Sequence, residues 1–196
     1  MTFPMQPSIK TRCGWVTEDP IYIKYHDTEW GWPLYDDRKL FEFLILEGMQ
    51  AGLSWRTVLY KRENFRQAFD GFDPEKIARY GKPKVLKLMK DAGIIRNRLK
   101  IEATITNARA FLAIQENKGG FSRTIWQFTN GKPIINRWKN LKEIPATTPE
   151  SDRMSKALKE KGFRFVGSTI CYAHMQATGM VNDHLVTCFR HKELSS

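Results

Sequence analysis

The chain has 196 residues, of which 41% are hydrophobic and 27% charged, a composition typical of a globular protein with one domain or two small ones. No apolar run approaches the roughly 18 residues of a membrane span, so none is expected, and residues 1–11 lack the apolar core of a signal peptide and indicate a flexible tail. The 32 basic residues exceed the 21 acidic ones to give a net charge of +11, which favours a polyanionic partner such as nucleic acid over a role in solubility alone.

Helix-start residues divide the rest of the chain into helical segments. Asp19-Pro20 predicts one helix start, Asp36 or Asp37 the next, and Ser54 a third. Further helices are predicted from Asp73-Pro74, from Pro83 to about Lys90, from about Asn97 to Ile114, from Phe121 to Thr129, from Thr148-Pro149 to about Gly162, and from Val166 to about Thr178. Residues 130–145 are predicted to be a loop or a strand-like stretch. Because no segment has convincing strand alternation, the predicted fold class is all-α.

The second helix carries an acid on its apolar face. A helical period places Glu47 on the same side as Leu40, Phe43 and Leu44, and turns Glu42 roughly to the other side. A carboxylate rarely lies on such a face unless something pairs with it. One interpretation is a buried acid that pairs with an arginine or a backbone N–H. The other is a site for a flat, polar or cationic ligand.

Aromatic residues are concentrated near the N-terminus, where 11 of the 24 lie within the first 60 positions. Tyr22 and His26 are neighbours on the first predicted helix, and Trp15, Trp30 and Trp32 flank it. Core packing would account for these residues, but the uneven distribution also indicates a stacking pocket.

A short glycine-containing turn, Asp91 to Arg98, joins two predicted helices. Basic residues at the start of the second helix oppose its dipole, whereas the backbone N–H groups of such a turn suit a phosphate. The turn is therefore either a DNA-backbone contact or a solvated, charged helix start.

Cysteine and histidine residues at the two ends of the chain suggest a metal site. Cys13 and His26 lie near the start, while His184 and Cys188, four residues apart, lie near the end. His174, His191 and Cys171 are competing ligands, and an unrelated set of buried cysteines and surface histidines is the alternative. With four protein ligands, zinc would be structural and would join both ends in one unit. The three sparse cysteines otherwise indicate a reducing compartment.

Seven stretches in order along about residues 12–188 carry a family resemblance. They are Arg12–Val16, Tyr25–Gly31, Leu46–Trp55, Lys61–Phe65, Asp91–Arg96, Gly162–Gly167 and Val181–His184. With these stretches the chain resembles the DNA-3-methyladenine glycosylase I family of bacterial alkylation-repair enzymes.

The resemblance implies the helix-hairpin-helix DNA glycosylase fold, with the hairpin at about Ala92 to Arg96. It implies a single unit over residues 12–190, made of a helix-hairpin-helix subdomain (about 35–115) and a zinc-stabilised subdomain from both ends (about 12–34 and 116–190). It also implies one zinc per chain, a monomer, and a cytoplasmic protein that associates with the nucleoid through DNA. The residues implied for zinc are Cys13, His26, His184 and Cys188; for base recognition, Trp15, Tyr22, Tyr25, Glu47 and Trp55; and for DNA, Gly93, Ile94, Ile95 and Arg96.

Two departures from the wider superfamily concern the chemistry. Residues 107–120, where a catalytic Asp is usual, contain only Glu116 as an acid, and the hairpin has no second glycine after Ile94-Ile95. Glu47 is therefore the candidate catalytic residue, and it is expected mainly to recognise a cationic base and secondarily to orient water.

The expected function is excision of 3-methyladenine from double-stranded alkylated DNA, with the free base as product. A non-catalytic, zinc-stabilised DNA-binding protein and a hydrolase with a catalytic zinc are the alternatives.

Overall fold

The computed structural model describes residues 10–116 and 119–195, and these residues are mostly helical. Two parallel strands of two residues each, β1 (Ile134–Ile135) and β2 (Val181–Asn182), are the departure from an all-α fold within the described ranges. The helices are α1 (Pro20–Thr28), α2 (Asp37–Gln50), α3 (Trp55–Ala68), α4 (Pro74–Ala78), α5 (Lys82–Lys90), α6 (Arg98–Gln115), α7 (Gly120–Trp126), α8 (Pro149–Glu160), α9 (Ser168–Ala177) and α10 (Phe189–Glu193). Short 3₁₀ turns cover Asp70–Phe72, Gln127–Thr129 and Leu141–Glu143.

The predicted helix starts are confirmed by side-chain caps. Asp19 accepts a hydrogen bond from the Ile21 N–H, Asp36 caps α2, and Ser54 caps α3. Each cap satisfies an N–H group that has no partner within the helix. Asp37, the other candidate for α2, instead accepts the Ser122 N–H at 2.6 Å and so joins α2 to the start of α7.

The structure defines two segments that the sequence left open. Residues 130–145, predicted as a loop or a strand-like stretch, contain the short strand β1 (Ile134–Ile135), which pairs in parallel with β2 (Val181–Asn182). His184 and Cys188 belong to the irregular segment between β2 and α10, in which Val186 and Thr187 form a turn. Strand pairing between distant segments leaves little local pattern when each strand has two residues, so the sequence did not predict this pair of strands.

The larger hydrophobic cluster is built around α2, which packs against α3, α6, α7 and α9. Its residues Leu40, Phe41, Leu44 and Leu46 are at most 1% exposed, so the helix is buried on most sides, as expected for a helix at the centre of a fold. A smaller cluster joins the two ends of the chain and consists of Cys13, Tyr25, Trp30, Leu59, Ala177, Leu185 and Cys188.

Of the predicted flexible tail, only Lys10 and Thr11 belong to the described residues. Among the described helices, none is long and apolar enough to cross a membrane.

Candidate active site and metal centre

A cavity of about 330 Å³ lies between the N-terminal segment, α1, α2, α3 and α9. All five residues predicted to recognise a base line it: Trp15, Tyr22, Tyr25, Glu47 and Trp55. Five further residues complete its wall: Trp30, Gln50, Ile144, Ala173 and Gln176. The volume is that of a small-molecule pocket, and its wall is mainly aromatic and apolar with one carboxylate.

The carboxylate of Glu47 is 2% exposed, and its Oε2 atom has no hydrogen-bond partner among the described residues. Burial raises the pKa of Glu47 from 4.5 to about 8, and no described cation offsets that effect. The arginines of α3 pair elsewhere: Arg62 binds Glu29 at 2.8 Å, and Arg66 binds Glu42 at 2.8 Å. The interpretation of Glu47 as a buried acid held by an arginine therefore does not describe this site.

The aromatic side chains surround the carboxylate with ring faces and edges. Trp15 meets Tyr22 edge-on at 5.7 Å between centroids, and Tyr25 lies 5.3 Å from Trp55 at an angle of 41°. The Trp55 Nε1 atom is buried without a partner among the described residues. Electron-rich rings beside a carboxylate complement a flat, cationic ligand.

The described part of α6 supplies no acid to this cavity. Within the described part of residues 107–120, no residue lines it. Asn107 instead binds the backbone of Arg164. The carboxylate of the cavity therefore comes from α2, well before the α5–α6 turn in the chain.

The four predicted metal ligands lie together and are buried. One candidate ligand atom from each of Cys13, His26, His184 and Cys188 lies within 4.8 Å of all the others. The Cys13 Sγ atom is 3.5 Å from His184 Nδ1, and Cys188 Sγ is 3.4 Å from His26 Nε2. Ligand atoms around tetrahedral zinc are separated by about 3.3 to 3.8 Å, given bonds of about 2.0 to 2.3 Å. These residues form a group that could hold a metal ion.

The histidine nitrogens on the other side of each ring have partners that fix the ring orientation. His26 Nδ1 is 2.8 Å from Asp27 Oδ1, and Asp27 in turn binds Arg12 at 2.6 Å. His184 Nε2 lies 3.1 Å from the carbonyl oxygen of Trp30. Such outer hydrogen bonds are typical of metal-ligating histidines. Gly31 is required beside this ring, because it has φ +82° and a Cβ atom would lie 2.8 Å from His184 Nε2.

The three competing ligands lie elsewhere. Cys171 contacts the Val166 carbonyl oxygen, and His191 Nε2 lies 2.7 Å from the Asn136 carbonyl oxygen. His174 is fully buried, with no partner for either ring nitrogen among the described residues. The structure therefore favours the predicted set of four.

The metal group and the cavity share a wall. The Trp15 ring meets His26 edge-on at 5.3 Å, and the Trp30 ring meets His184 edge-on at 4.6 Å. His26 and His184 therefore support the two tryptophan rings that line this side of the cavity. Because His26 lies near the start of the chain and His184 near its end, the position of these rings depends on both ends.

The turn between α5 and α6 places the predicted DNA-binding residues at the surface, except for Ile94, which is 3% exposed. The Gly93 N–H donates to Asp91 Oδ1 at 2.8 Å, and the Ile94 N–H donates to the Asp91 carbonyl oxygen at 3.4 Å. Within the described ranges, the N–H groups of Ile95 and Arg96 have no hydrogen-bond acceptor. Lys61 holds the turn through the Ala92 carbonyl oxygen at 2.9 Å.

An aromatic cavity with a buried acid lies on a helical scaffold with an exposed interhelical turn, and the chain is similar to solved structures of DNA glycosylases. The chain superimposes on a crystal structure of 3-methyladenine DNA glycosylase I with a TM-score of 0.90 and 55% identity, covering 91% of this chain and 98% of the other. It is also similar to the Staphylococcus aureus 3-methyladenine DNA glycosylase I solved to explain 3-methyladenine recognition, with a TM-score of 0.88, 37% identity, and coverage of 91% and 95%.

Sequence comparisons give the same result. The DNA-3-methyladenine glycosylase 1 of Escherichia coli K12 is 56% identical over 177 residues, which are 90% of this chain and 95% of that protein. The model of the methyladenine glycosylase family matches residues 15–191. The chain belongs to the methyladenine glycosylase family.

Proposed function

We propose that this protein is a DNA-repair hydrolase that excises 3-methyladenine from alkylated DNA by cleaving its N-glycosidic bond. The observation that carries the proposal is the unpartnered, buried carboxylate of Glu47 inside an aromatic cavity of about 330 Å³. Similar proteins that are named for this activity support it over a non-catalytic DNA-binding role.

Recognition depends on the charge of the damaged base. Alkylation at the 3-position leaves the purine cationic while it is still joined to the sugar. The faces of Trp15 and Trp55 attract a cation. A cationic base beside Glu47 favours the ionised form and lowers the pKa of its carboxyl from about 8, so the carboxylate accepts hydrogen bonds from the base edge and complements its charge. Neutral adenine gains less from both contacts. The cavity therefore selects by charge as well as by shape.

The cationic base is also a good leaving group. Water adds to C1′ of the deoxyribose and releases a proton to the solvent or to the ionised Glu47, the bond from C1′ to the base nitrogen breaks, and its electron pair neutralises the purine. Protonation of the leaving group is not needed, which accounts for a site without the usual Asp. In this proposal the main role of Glu47 is to recognise the base. Its secondary role is to orient the attacking water or to take its proton.

Duplex DNA presents the base only after extrusion, which costs a few kcal/mol. In this proposal the α5–α6 turn acts as the hairpin of a helix-hairpin-helix motif and binds a phosphate. Among the described residues, the N–H groups of Ile95 and Arg96 have no acceptor and can bind a phosphate, whereas Asp91 accepts those of Gly93 and Ile94. The net charge of +11 supports binding to the DNA backbone.

We assign zinc to Cys13, His26, His184 and Cys188. Two thiolates and two imidazoles are a typical structural zinc set with no open position for water, so the third candidate, a hydrolase with catalytic zinc, is disfavoured. When bound, the ion would supply cross-linking between the two ends of the chain. In the same proposal, residues 12–34 and 116–190 form one zinc-stabilised part of a single unit.

The test is chromatographic measurement of bases released from methylated DNA. The wild type is expected to release 3-methyladenine. Glu47→Gln and Glu47→Ala are expected to lower the rate by at least about tenfold, the loss of about 1.4 kcal/mol of stabilisation, and Glu63→Gln serves as an exposed carboxyl control. Normal excision by both Glu47 variants would remove Glu47 from the site, and absence of any released base from the wild type would leave the DNA-binding alternative.

A further inference from the structure

The turn between α8 and α9 has an unfavourable backbone and an exposed tip. Phe165 has φ +56°, a left-handed conformation that bulky side chains rarely adopt. Its neighbours Phe163 and Val166 are buried, whereas Arg164 and Phe165 are exposed. Residues in such conformations persist when their surroundings hold them, and they are concentrated at functional sites.

Hydrogen bonds on both sides hold this turn in place. The side chain of Asn107 on α6 accepts from the Arg164 N–H at 2.7 Å and donates to the Arg164 carbonyl oxygen at 2.9 Å. The Val166 carbonyl oxygen accepts from the Ser155 hydroxyl at 2.7 Å. The unfavourable backbone is therefore firmly fixed rather than loose.

Among the described residues, the side chains at the tip take part in neither hydrophobic cluster and in no ion pair. Phe165 is 37% exposed and is not part of either hydrophobic cluster. Among the described residues, the Arg164 guanidinium makes no ion pair or hydrogen bond. An exposed aromatic residue beside an unpaired cation matches the two contacts that nucleic-acid-binding surfaces make, to bases or sugars and to phosphates.

The tip lies next to the cavity-bearing helix. A Cβ atom on Gly48 would lie 3.4 Å from the Phe165 Cβ, and Gly48 follows Glu47 directly. On α6, Lys100 donates to the carbonyl oxygens of Met49 at 2.8 Å and Ala51 at 2.7 Å, which fixes the loop after α2.

Asn107 is seven residues, or about 10 Å, further along α6 than Lys100. The α5–α6 turn immediately precedes α6. The α5–α6 turn, the loop after α2 and the Arg164–Phe165 tip therefore follow one another along the same helix.

We propose that Arg164 and Phe165 form a second DNA contact. Along α6, this contact and the α5–α6 turn lie on opposite sides of the loop after α2. The Phe165 ring packs against bases or sugars beside the extruded nucleotide, and the Arg164 guanidinium pairs with a phosphate. Duplex DNA then touches the protein on both sides of the loop after α2. The inference rests on the proposed function, and it adds residues that hold the DNA rather than the base.

The experiment measures three quantities for each variant: affinity for a duplex oligonucleotide with an abasic-site analogue at several salt concentrations, affinity for free 3-methyladenine, and thermal unfolding. The variants are Phe165→Gly, Phe165→Tyr and Arg164→Ala. Tyr35→Ala is the control for removal of an exposed aromatic ring, since Tyr35 is 52% exposed, and Lys132→Ala is the control for removal of one exposed positive charge.

Phe165→Gly is expected to weaken duplex binding by at least about fivefold, the lower end for an aromatic contact with a base. Its affinity for the free base should stay within about twofold. Its unfolding midpoint should be unchanged or higher, because glycine tolerates positive φ. Phe165→Tyr should retain most of the duplex affinity. Arg164→Ala should lower the slope of log K against log salt by about one, as expected for one phosphate contact.

The proposal is overturned if Phe165→Gly and Arg164→Ala match the controls in duplex affinity and salt slope. It is also overturned if duplex affinity falls only in parallel with free-base affinity, because the turn would then act on the cavity. Absence of base release by the wild type would instead count against the proposed function, and these binding measurements do not depend on that result.

Discussion

Replacement of Glu47 by glutamine is expected to stabilise the ligand-free protein at neutral and alkaline pH. Burial raises the pKa of this carboxyl from 4.5 to about 8, so the folded protein retains a proton that the unfolded chain releases above pH 4.5. The stability associated with the protonated acid is complete below pH 4.5 and is lost as pH rises through 8.

The magnitude follows from the size of that shift. Each pH unit between 4.5 and 8 lowers the free energy of unfolding by about 1.4 kcal/mol. The loss is therefore about 3 kcal/mol at pH 7 and about 5 kcal/mol above pH 8. Glutamine does not titrate, so a variant with a similarly seated side chain escapes this loss. A substitution that raises stability but lowers activity is typical of a residue that is kept for its role in an active site.

The assay is urea unfolding of wild type, Glu47→Gln and Glu63→Gln at pH 5, 7 and 8.5. Other titrating groups contribute equally to wild type and variant, so the difference between them isolates Glu47. The advantage of Glu47→Gln is expected to rise by about 3 kcal/mol from pH 5 to pH 7 and to level off above pH 8, while Glu63→Gln shows no such trend. A difference that stays constant over this range would refute the assignment of Glu47 as a buried acid without a charged partner.

Three further predictions concern the residues around the cavity. Cys13→Ser is expected to lower the bound zinc below one per chain and the thermal midpoint by several degrees, as measured by metal analysis and calorimetry; full zinc content with an unchanged midpoint would contradict the metal assignment. Asp183→Asn should cost about 2 to 5 kcal/mol in urea unfolding, because its carboxylate accepts from Asn136, Trp138, Tyr172 and Gln176 and an amide leaves about two of these donors unpaired. His174→Leu should raise stability by about 1 to 2 kcal/mol at neutral pH without changing base release, because it removes two buried nitrogens that have no described partner; a loss of release would give His174 a role in the site.

Local signals in the sequence were sufficient to predict most of the helices and the burial of an acid on α2. Asp19, Asp36 and Ser54 stand where their caps form, and the helical period placed Glu47 on an apolar face, where it is buried. Both features depend on residues within a few positions of one another. The family resemblance was needed to select the four aromatic cavity residues, Trp15, Tyr22, Tyr25 and Trp55, from a larger number of aromatic side chains.

Apart from the four candidate metal ligands, contacts between distant segments could not be predicted from the sequence. Ala173 and Gln176 reach the cavity because α9 packs against α2, and no spacing within α9 indicates this. The same holds for Ile144, in the loop that precedes α8. Asp183 carried a signal as part of a matched motif, but its four donors come from two other segments, residues 136–138 and α9, so its role follows only from the fold.

The arrangement of the metal group explains why a structural ion would matter for a reaction in which it takes no part. Trp15 follows Cys13 by two residues and meets His26, while Trp30 contacts His184 and lines the same cavity. If the four ligands separate, both tryptophan rings lose their support, although Glu47 stays on α2, which is held by the larger hydrophobic cluster. Metal loss should therefore weaken binding of the cationic base at temperatures at which α2 and its neighbours remain folded. In this way the joined ends of the chain shape one wall of the cavity, and the central helix supplies the acid on the other.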